Sequence, residues 1–198
     1  MDILKLVVVA LIGYLMGSAN TSIIVGKFYG IDVRLHGSGN AGATNTLRTL
    51  GKGAAALVGI GDVLKGVLSC LIGMFIAGDI GLMLGGLAAV IGHNWPVYFG
   101  FKGGKGIFTS FSVVLMMDWK LGLMLLGVFI IIVAVTRYIS LGSMICSALF
   151  PVIGFLFKKP LEFVVFAAIL AVLAVVRHRG NIQRILNGTE SKFGSKKA

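Results

Sequence analysis

Leu6-Val7-Val8-Val9-Ala10-Leu11-Ile12-Gly13-Tyr14-Leu15-Met16-Gly17-Ser18-Ala19-Asn20-Thr21-Ser22-Ile23-Ile24-Val25 runs for twenty residues without a charge. At 1.5 Å per residue a helix of that length crosses a hydrocarbon core about 30 Å thick. The rest of the chain is equally greasy. Of its 198 residues, 57% are hydrophobic and 13% charged, where ordinary globular chains run at about 25% charged. The mean hydropathy is +0.98. A soluble fold could not hide that much apolar surface, so the bilayer is the solvent and 1–198 is expected to form a single membrane domain. The N-terminal run is too long for a signal-peptide core and has no small-residue cleavage site after it, so it is expected to be a retained span.

Working outward, residues 28–52 form a polar loop. Gly53 to Ala77 is long enough to cross again and carries Asp62 and Lys65. These lie three apart, on one helical face, and can pair. Intramembrane charges are costly, so they form either a structural ion pair or part of a site lining. Ile80 to Ile91 and Ile107 to Met117 are shorter, and are expected to be two short full spans or a re-entrant pair. Leu121 to Thr136, Tyr138 to Phe157 and Leu161 to Val176 complete an all-α, polytopic integral membrane protein. It should have about seven transmembrane helices, with short or half-length helices around 80–117. In the tail, Ile182, Ile185 and Leu186 stand at helical spacing beside Arg184, the pattern of a short interfacial helix.

The net charge is +11, with 18 Lys and Arg against 7 Asp and Glu. With seven spans, thirteen of those cations share one side: Lys27, Arg34, Arg48, Lys52, Lys102, Lys105, Arg137, Arg177, Arg179, Arg184, Lys192, Lys196 and Lys197. Lysine and arginine collect on the cytoplasmic side, which sets the orientation N-out and C-in. The positive balance is therefore a membrane property and calls for no nucleic-acid partner. Cys70 and Cys146 lie in apolar runs and read as small buried hydrophobes.

The most polar stretch is His36-Gly37-Ser38-Gly39-Asn40-Ala41-Gly42-Ala43-Thr44-Asn45-Thr46-Leu47-Arg48. Its Gly-x-Gly-x-x-Gly at 37–42, with Asp62 twenty residues on, imitates a dinucleotide fingerprint. The context rejects that reading, since no strand precedes it and Asp62 falls in a span. Glycines still let backbone N–H groups approach an anion, Ser38 offers a hydroxyl, and Arg48 offers a bidentate fork. Lys102-Gly103-Gly104-Lys105-Gly106 opens a short helix, which suits phosphate but is weak as a lone motif. His93 precedes Asn94-Trp95-Pro96 and could equally cap a helix. His178, between Arg177 and Arg179, could equally belong to an interfacial basic cluster. Three histidines in separate loops, without carboxylates nearby, do not make a metal site. In the orientation set by the charges, Ser38, Arg48, Lys105, Ser143, His178 and Asn181 share the cytoplasmic face. Cations, hydroxyls and glycine turns together describe a site for a phosphorylated substrate, and the membrane supplies an acyl chain.

These stretches resemble the bacterial acylphosphate-dependent glycerol-3-phosphate acyltransferases. The resemblance is carried by Gly37 to Arg48, by Gly61-Asp62-Val63-Leu64-Lys65-Gly66, and by Gly92 to Tyr98 with Gly103 to Gly106. It continues in Ser140-Leu141-Gly142-Ser143, in His178 with Asn181 to Arg184, and in Gly188-Thr189-Glu190. The family's proline after the first asparagine of its first motif is Ala41 here. The resemblance implies an enzyme of the bacterial inner membrane with its active site facing the cytoplasm. It would move an acyl group from acyl phosphate to the 1-hydroxyl of glycerol 3-phosphate, giving lysophosphatidic acid and phosphate. Its partners would be those two substrates and membrane lipid, with no cofactor and no metal. Ser38, Arg48, Lys105, His178 and Asn181 would be catalytic. Gly37, Gly39, Asn40, Thr44, Asn45, His93, Gly103, Gly104, Gly106 and Ser143 would bind substrate.

The residues suit that chemistry. The His-x4-Asp dyad of many acyltransferases is missing: five residues after His36, His93 and His178 stand Ala41, Tyr98 and Gln183. An acyl phosphate is already activated, and its leaving phosphate can take the hydroxyl proton. The protein then needs positioning and electrostatic stabilisation more than a base. A small transporter for a phosphorylated solute is the competing reading, kept open by Asp62 and Lys65.

Overall fold

A computed structural model describes residues 2–194. Lys196 and Lys197, counted above among the cytoplasmic cations, lie outside them. The described residues are helical without strands, in the order α1 (Ile3–Ser18), α2 (Thr21–Phe28), α3 (Ala43–Leu50), α4 (Lys52–Asn94), α5 (Ile107–Met117), α6 (Trp119–Thr136), α7 (Ile139–Leu156), α8 (Leu161–Arg177) and α9 (Arg179–Leu186). The chain divides into two compact units, Met1–Met117 and Asp118–Ala198.

In the first unit the opening apolar run is not one straight helix. It breaks at Ala19, and Asn20 caps the restart by accepting from the Ile23 backbone N–H at 3.1 Å. Asparagine is a strong N-cap residue, so the break is written in the sequence. α4 is likewise two arms. Ala77 and Gly78 leave helical geometry, Gly78 at φ +63°. The second arm returns antiparallel along the first, close enough that a Cβ on Gly73 would strike the Gly81 carbonyl oxygen. One on Gly85 would strike that of Ser69. Small residues permit this backbone approach in lipid. The hairpin register then carries His93 opposite Asp62. α1 lies along the second arm in the same manner, Gly17 against the backbone of Ala89.

In the second unit α6 is N-capped by Asp118, whose carboxylate accepts from the Lys120 and Leu121 N–H groups and pairs with Lys159. α7 and α8 pack together through an edge-to-face pair, Phe150 and Phe163, with centroids 5.4 Å apart. α8 and α9 meet at a 55° bend.

The seven apolar runs read from the sequence are helical apart from the break at Ala19 and Asn20, and two of them are the arms of α4. Four stretches are long and apolar enough to cross a membrane when taken across their breaks: Ile3–Phe28, Lys52–Phe99, Trp119–Thr136 and Ile139–Leu156. A fifth forms if α8 and α9 count as one bent span. The difference from seven lies in the two arms of α4 and in α5, which is only 11 residues long. The outward faces, with Leu57, Phe75, Ile131, Val135 and Val172 exposed, are those of a protein solvated by lipid.

Candidate active site

The polar loop before α3 is ordered by one side chain. Asn45 is buried. Its Oδ1 accepts from the Ser38 N–H at 2.8 Å and the Ser38 hydroxyl at 3.2 Å. Its Nδ2 donates to the carbonyls of Val33 at 2.8 Å and His36 at 3.0 Å. The amide is fully spent, so Asn45 shapes the loop that presents Ser38. Gly37 sits at φ +62° with its missing Cβ aimed at Asn45 Oδ1, so only glycine fits there. Ser38 and Gly39 are exposed, while Asn40 and Thr44 are half-buried. Arg48 is exposed in the last turn of α3.

The second wall is the glycine loop before α5. The Gly104 N–H donates to the His93 carbonyl at 3.2 Å. A Cβ on Gly104 would collide with the carbonyl oxygen of Ala41 and with His93 Nε2. Gly104 therefore lies where the first polar loop, the end of α4 and its own loop meet. Asn20 reinforces the junction, its Nδ2 donating to the carbonyls of Ala41 at 3.4 Å and His93 at 3.5 Å. At position 41 the contact uses a backbone carbonyl, which proline also has, so alanine serves. Gly106 takes φ +72° and leads directly into α5. The positive end of that helix, the half-buried Lys105 and the flanking glycines thus converge.

Two pairings join residues far apart in the sequence or unmarked by any motif. Arg34 donates in bidentate fashion to Asp32, Nε to Oδ1 at 2.9 Å and Nη2 to Oδ2 at 2.8 Å. Its Nη1 reaches across to the Phe99 carbonyl at 3.0 Å, binding the stretch before the glycine loop to the first loop. The Arg34 hydrogen bonds hold the Asp32 carboxyl below its ordinary value. The second pairing is His93 with Asp62 and Lys65, whose ion pair closes at 2.9 Å. His93 is not an exposed cap but is buried against that pair.

The second unit carries Ser143, His178 and Asn181, all buried. The Ser143 hydroxyl donates to the Ile139 carbonyl at 2.9 Å. His178 Nδ1 lies 2.7 Å from the Ala174 carbonyl, so that nitrogen carries the proton. Asn181 Nδ2 and the Ser140 hydroxyl both donate to Glu190 Oε1 at 2.6 Å, and Arg184 Nε donates to Oε2 at 2.7 Å. Burial alone would raise the Glu190 carboxyl, but the bonds from Ser140, Asn181 and Arg184 outweigh it and hold it low. Glu190 thereby fixes which way the Asn181 amide faces, a role the bare sequence pattern does not reveal.

Chemically, the first unit offers the exposed Ser38 hydroxyl, glycine backbone and Lys105 beside one loop junction, groups suited to holding an anion. A family model described as glycerol-3-phosphate acyltransferase matches residues 7–188. The glycerol-3-phosphate acyltransferase of Thermoanaerobacter sp. (strain X514) is 48% identical over 191 residues, covering 96% of each chain. That of Clostridioides difficile (strain 630) is 46% identical over 204 residues, covering all of both. The crystal structure of PlsY (YgiH), an integral membrane glycerol 3-phosphate acyltransferase in its glycerol 3-phosphate form, superposes with a TM-score of 0.91 at 38% identity. It covers 96% of each chain. The lysophosphatidic acid form gives 0.88 at 37% identity, over 96% and 95% of the chains.

Proposed function

The chain belongs to the glycerol-3-phosphate acyltransferase family, and we propose that its donor is an acyl phosphate and its acceptor the 1-hydroxyl of glycerol 3-phosphate. Acyl transfer to glycerol 3-phosphate accords with the two forms of the solved relative, one with that substrate and one with lysophosphatidic acid. The transporter reading finds no support among the relatives and is set aside. The observation that carries the proposal is the junction at Gly104, where the loop presenting Ser38 and the loop bearing Lys105 touch.

On this reading the glycine loop, with Lys105 and the start of α5, takes the phosphate of glycerol 3-phosphate. Ser38 and Arg48 serve the phosphate of the donor. Ser143, His178 and Asn181 of the second unit are assigned to the same reaction by their place in the family pattern. Gly37 and Asn45 act by shaping the first loop; Gly39, Asn40 and Thr44 remain assigned to substrate from sequence. The acceptor hydroxyl oxygen attacks the acyl carbonyl, the new ester bond forms, and the bond from acyl carbon to phosphate oxygen breaks. The departing phosphate takes the hydroxyl proton and leaves as hydrogen phosphate. The protein supplies position and positive potential for the charge that develops. The site lies at the cytoplasmic face of the bacterial inner membrane, on the side where lysine and arginine collect.

The test of direct transfer is exchange of labelled inorganic phosphate into acyl phosphate without glycerol 3-phosphate. The proposal requires none. Exchange, together with an acyl group trapped on Ser38 or Ser143, would establish a covalent intermediate and overturn it.

A further inference from the structure

Asp62, Lys65 and His93 form a buried polar cluster that the reaction as proposed does not use. Their exposures are 2%, 7% and 2%. Lys65 Nζ has three polar neighbours within 3.5 Å. It meets Asp62 Oδ1 at 2.9 Å as an ion pair, and it makes hydrogen bonds to His93 Nδ1 at 2.9 Å and the Ala19 carbonyl at 3.3 Å. An ammonium carries three hydrogens and no lone pair. The charged lysine beside the Asp62 carboxylate can therefore approach His93 Nδ1 this closely only if Nδ1 offers its lone pair. A protonated Nδ1 would set two donors 2.9 Å apart, for the sake of a longer 3.4 Å contact with Asp62 Oδ1.

We infer that Lys65, held by Asp62, locks His93 as the neutral imidazole with its proton on Nε2, and that this fixed ring positions the glycine loop. Nε2 is the atom that abuts Gly104, and the His93 carbonyl accepts the Gly104 N–H. Ring and backbone thus hold one residue, next to Lys105. Two opposite charges and one neutral ring also leave the cluster without net charge, which suits a group placed within a membrane helix. Asp62 and Lys65 are positioning residues on this account. They act through His93 on a loop that the proposed function assigns to glycerol 3-phosphate, and the inference rests on that assignment.

The test uses full-length protein in lipid, with histidine labelled by nitrogen-15. There are three histidines, and the His93 signals are identified by their loss in His93→Gln. The wild-type protein is expected to show the neutral Nε2–H form at neutral pH. Single substitutions leave a buried unpaired charge and endanger folding. The informative variant is therefore the double change Asp62→Asn with Lys65→Met, which keeps the cluster neutral. In it the fixed tautomer is expected to give way to a mixture, and the dissociation constant for glycerol 3-phosphate to rise about tenfold, the size of one lost hydrogen bond. Binding is read by calorimetry without an acyl donor, so a wrong donor assignment would leave this test intact. An imidazolium or an Nδ1–H ring in the wild-type protein overturns the inference. So does a folded double variant that binds glycerol 3-phosphate as tightly as wild type.

Discussion

Gly104 packs so tightly against the carbonyl oxygen of Ala41 that its missing Cβ is what lets the two polar loops meet. The alanine variant must push the loops apart or displace His93. Overpacking of this kind costs about 1–3 kcal/mol. Gly104→Ala is expected to fold, with a lower Tm and a KM for glycerol 3-phosphate raised by about tenfold or more, if a cost of that size falls on the bound loop. Gly53→Ala is the control, because nothing lies within 4 Å of a Cβ there. It should leave KM unchanged and slightly raise Tm through helix propensity.

Asn45 and Ser38 are bonded to each other but are expected to fail in different ways. Asn45→Ala strands buried carbonyls and should cost about 1–3 kcal/mol of stability. Asn45→Asp should fare no better, since it turns an acceptor toward the Val33 and His36 carbonyls. Ser38→Ala removes one 3.2 Å hydroxyl contact, so its Tm should stay near wild type while turnover collapses. Thermal unfolding and product formation on the same preparations separate the two roles.

Glu190 gives a pH signature. Its folded carboxyl is held low by Ser140, Asn181 and Arg184, whereas the unfolded chain has the ordinary value of about 4.3. The stability it contributes is therefore complete above that ordinary value and is lost as pH falls through the lower folded one. Glu190→Gln is expected to be less stable than wild type at pH 7, with the gap in Tm narrowing below about pH 4.3 as the wild-type carboxylate takes up its proton. A gap that stays constant down to pH 3 contradicts the assignment.

Lys105 and Arg48 are assigned to different phosphates, so their variants should separate by substrate. Lys105→Met is expected to raise KM for glycerol 3-phosphate by about 10- to 100-fold, the value of a charged hydrogen bond. Arg48→Lys keeps the charge but loses the fork, and should chiefly raise KM for the acyl donor. Initial rates with each substrate varied in turn decide the matter.

Much of this molecule is legible in one sequence, because lipid leaves few ways to satisfy a backbone. Run length and charge placed the helices, and the break expected after Ala77 is where α4 turns back. The glycine and hydroxyl loops announced themselves by standing out from apolar neighbours. What could not be read were contacts between residues distant in the chain. Arg34 looked like one more surface cation, yet it clamps the Phe99 carbonyl 65 positions away. His93 looked like a cap until the hairpin register set it against Asp62. The family resemblance assigns Asn45 to substrate, and an amide in a polar loop gives no sign of which groups will saturate it.

The central claim is the donor. Purified protein in lipid, given acyl phosphate as the sole acyl source and labelled glycerol 3-phosphate, is expected to form labelled lysophosphatidic acid with one phosphate released per product. No product from acyl phosphate, with product instead from acyl-CoA or acyl carrier protein, would contradict the account.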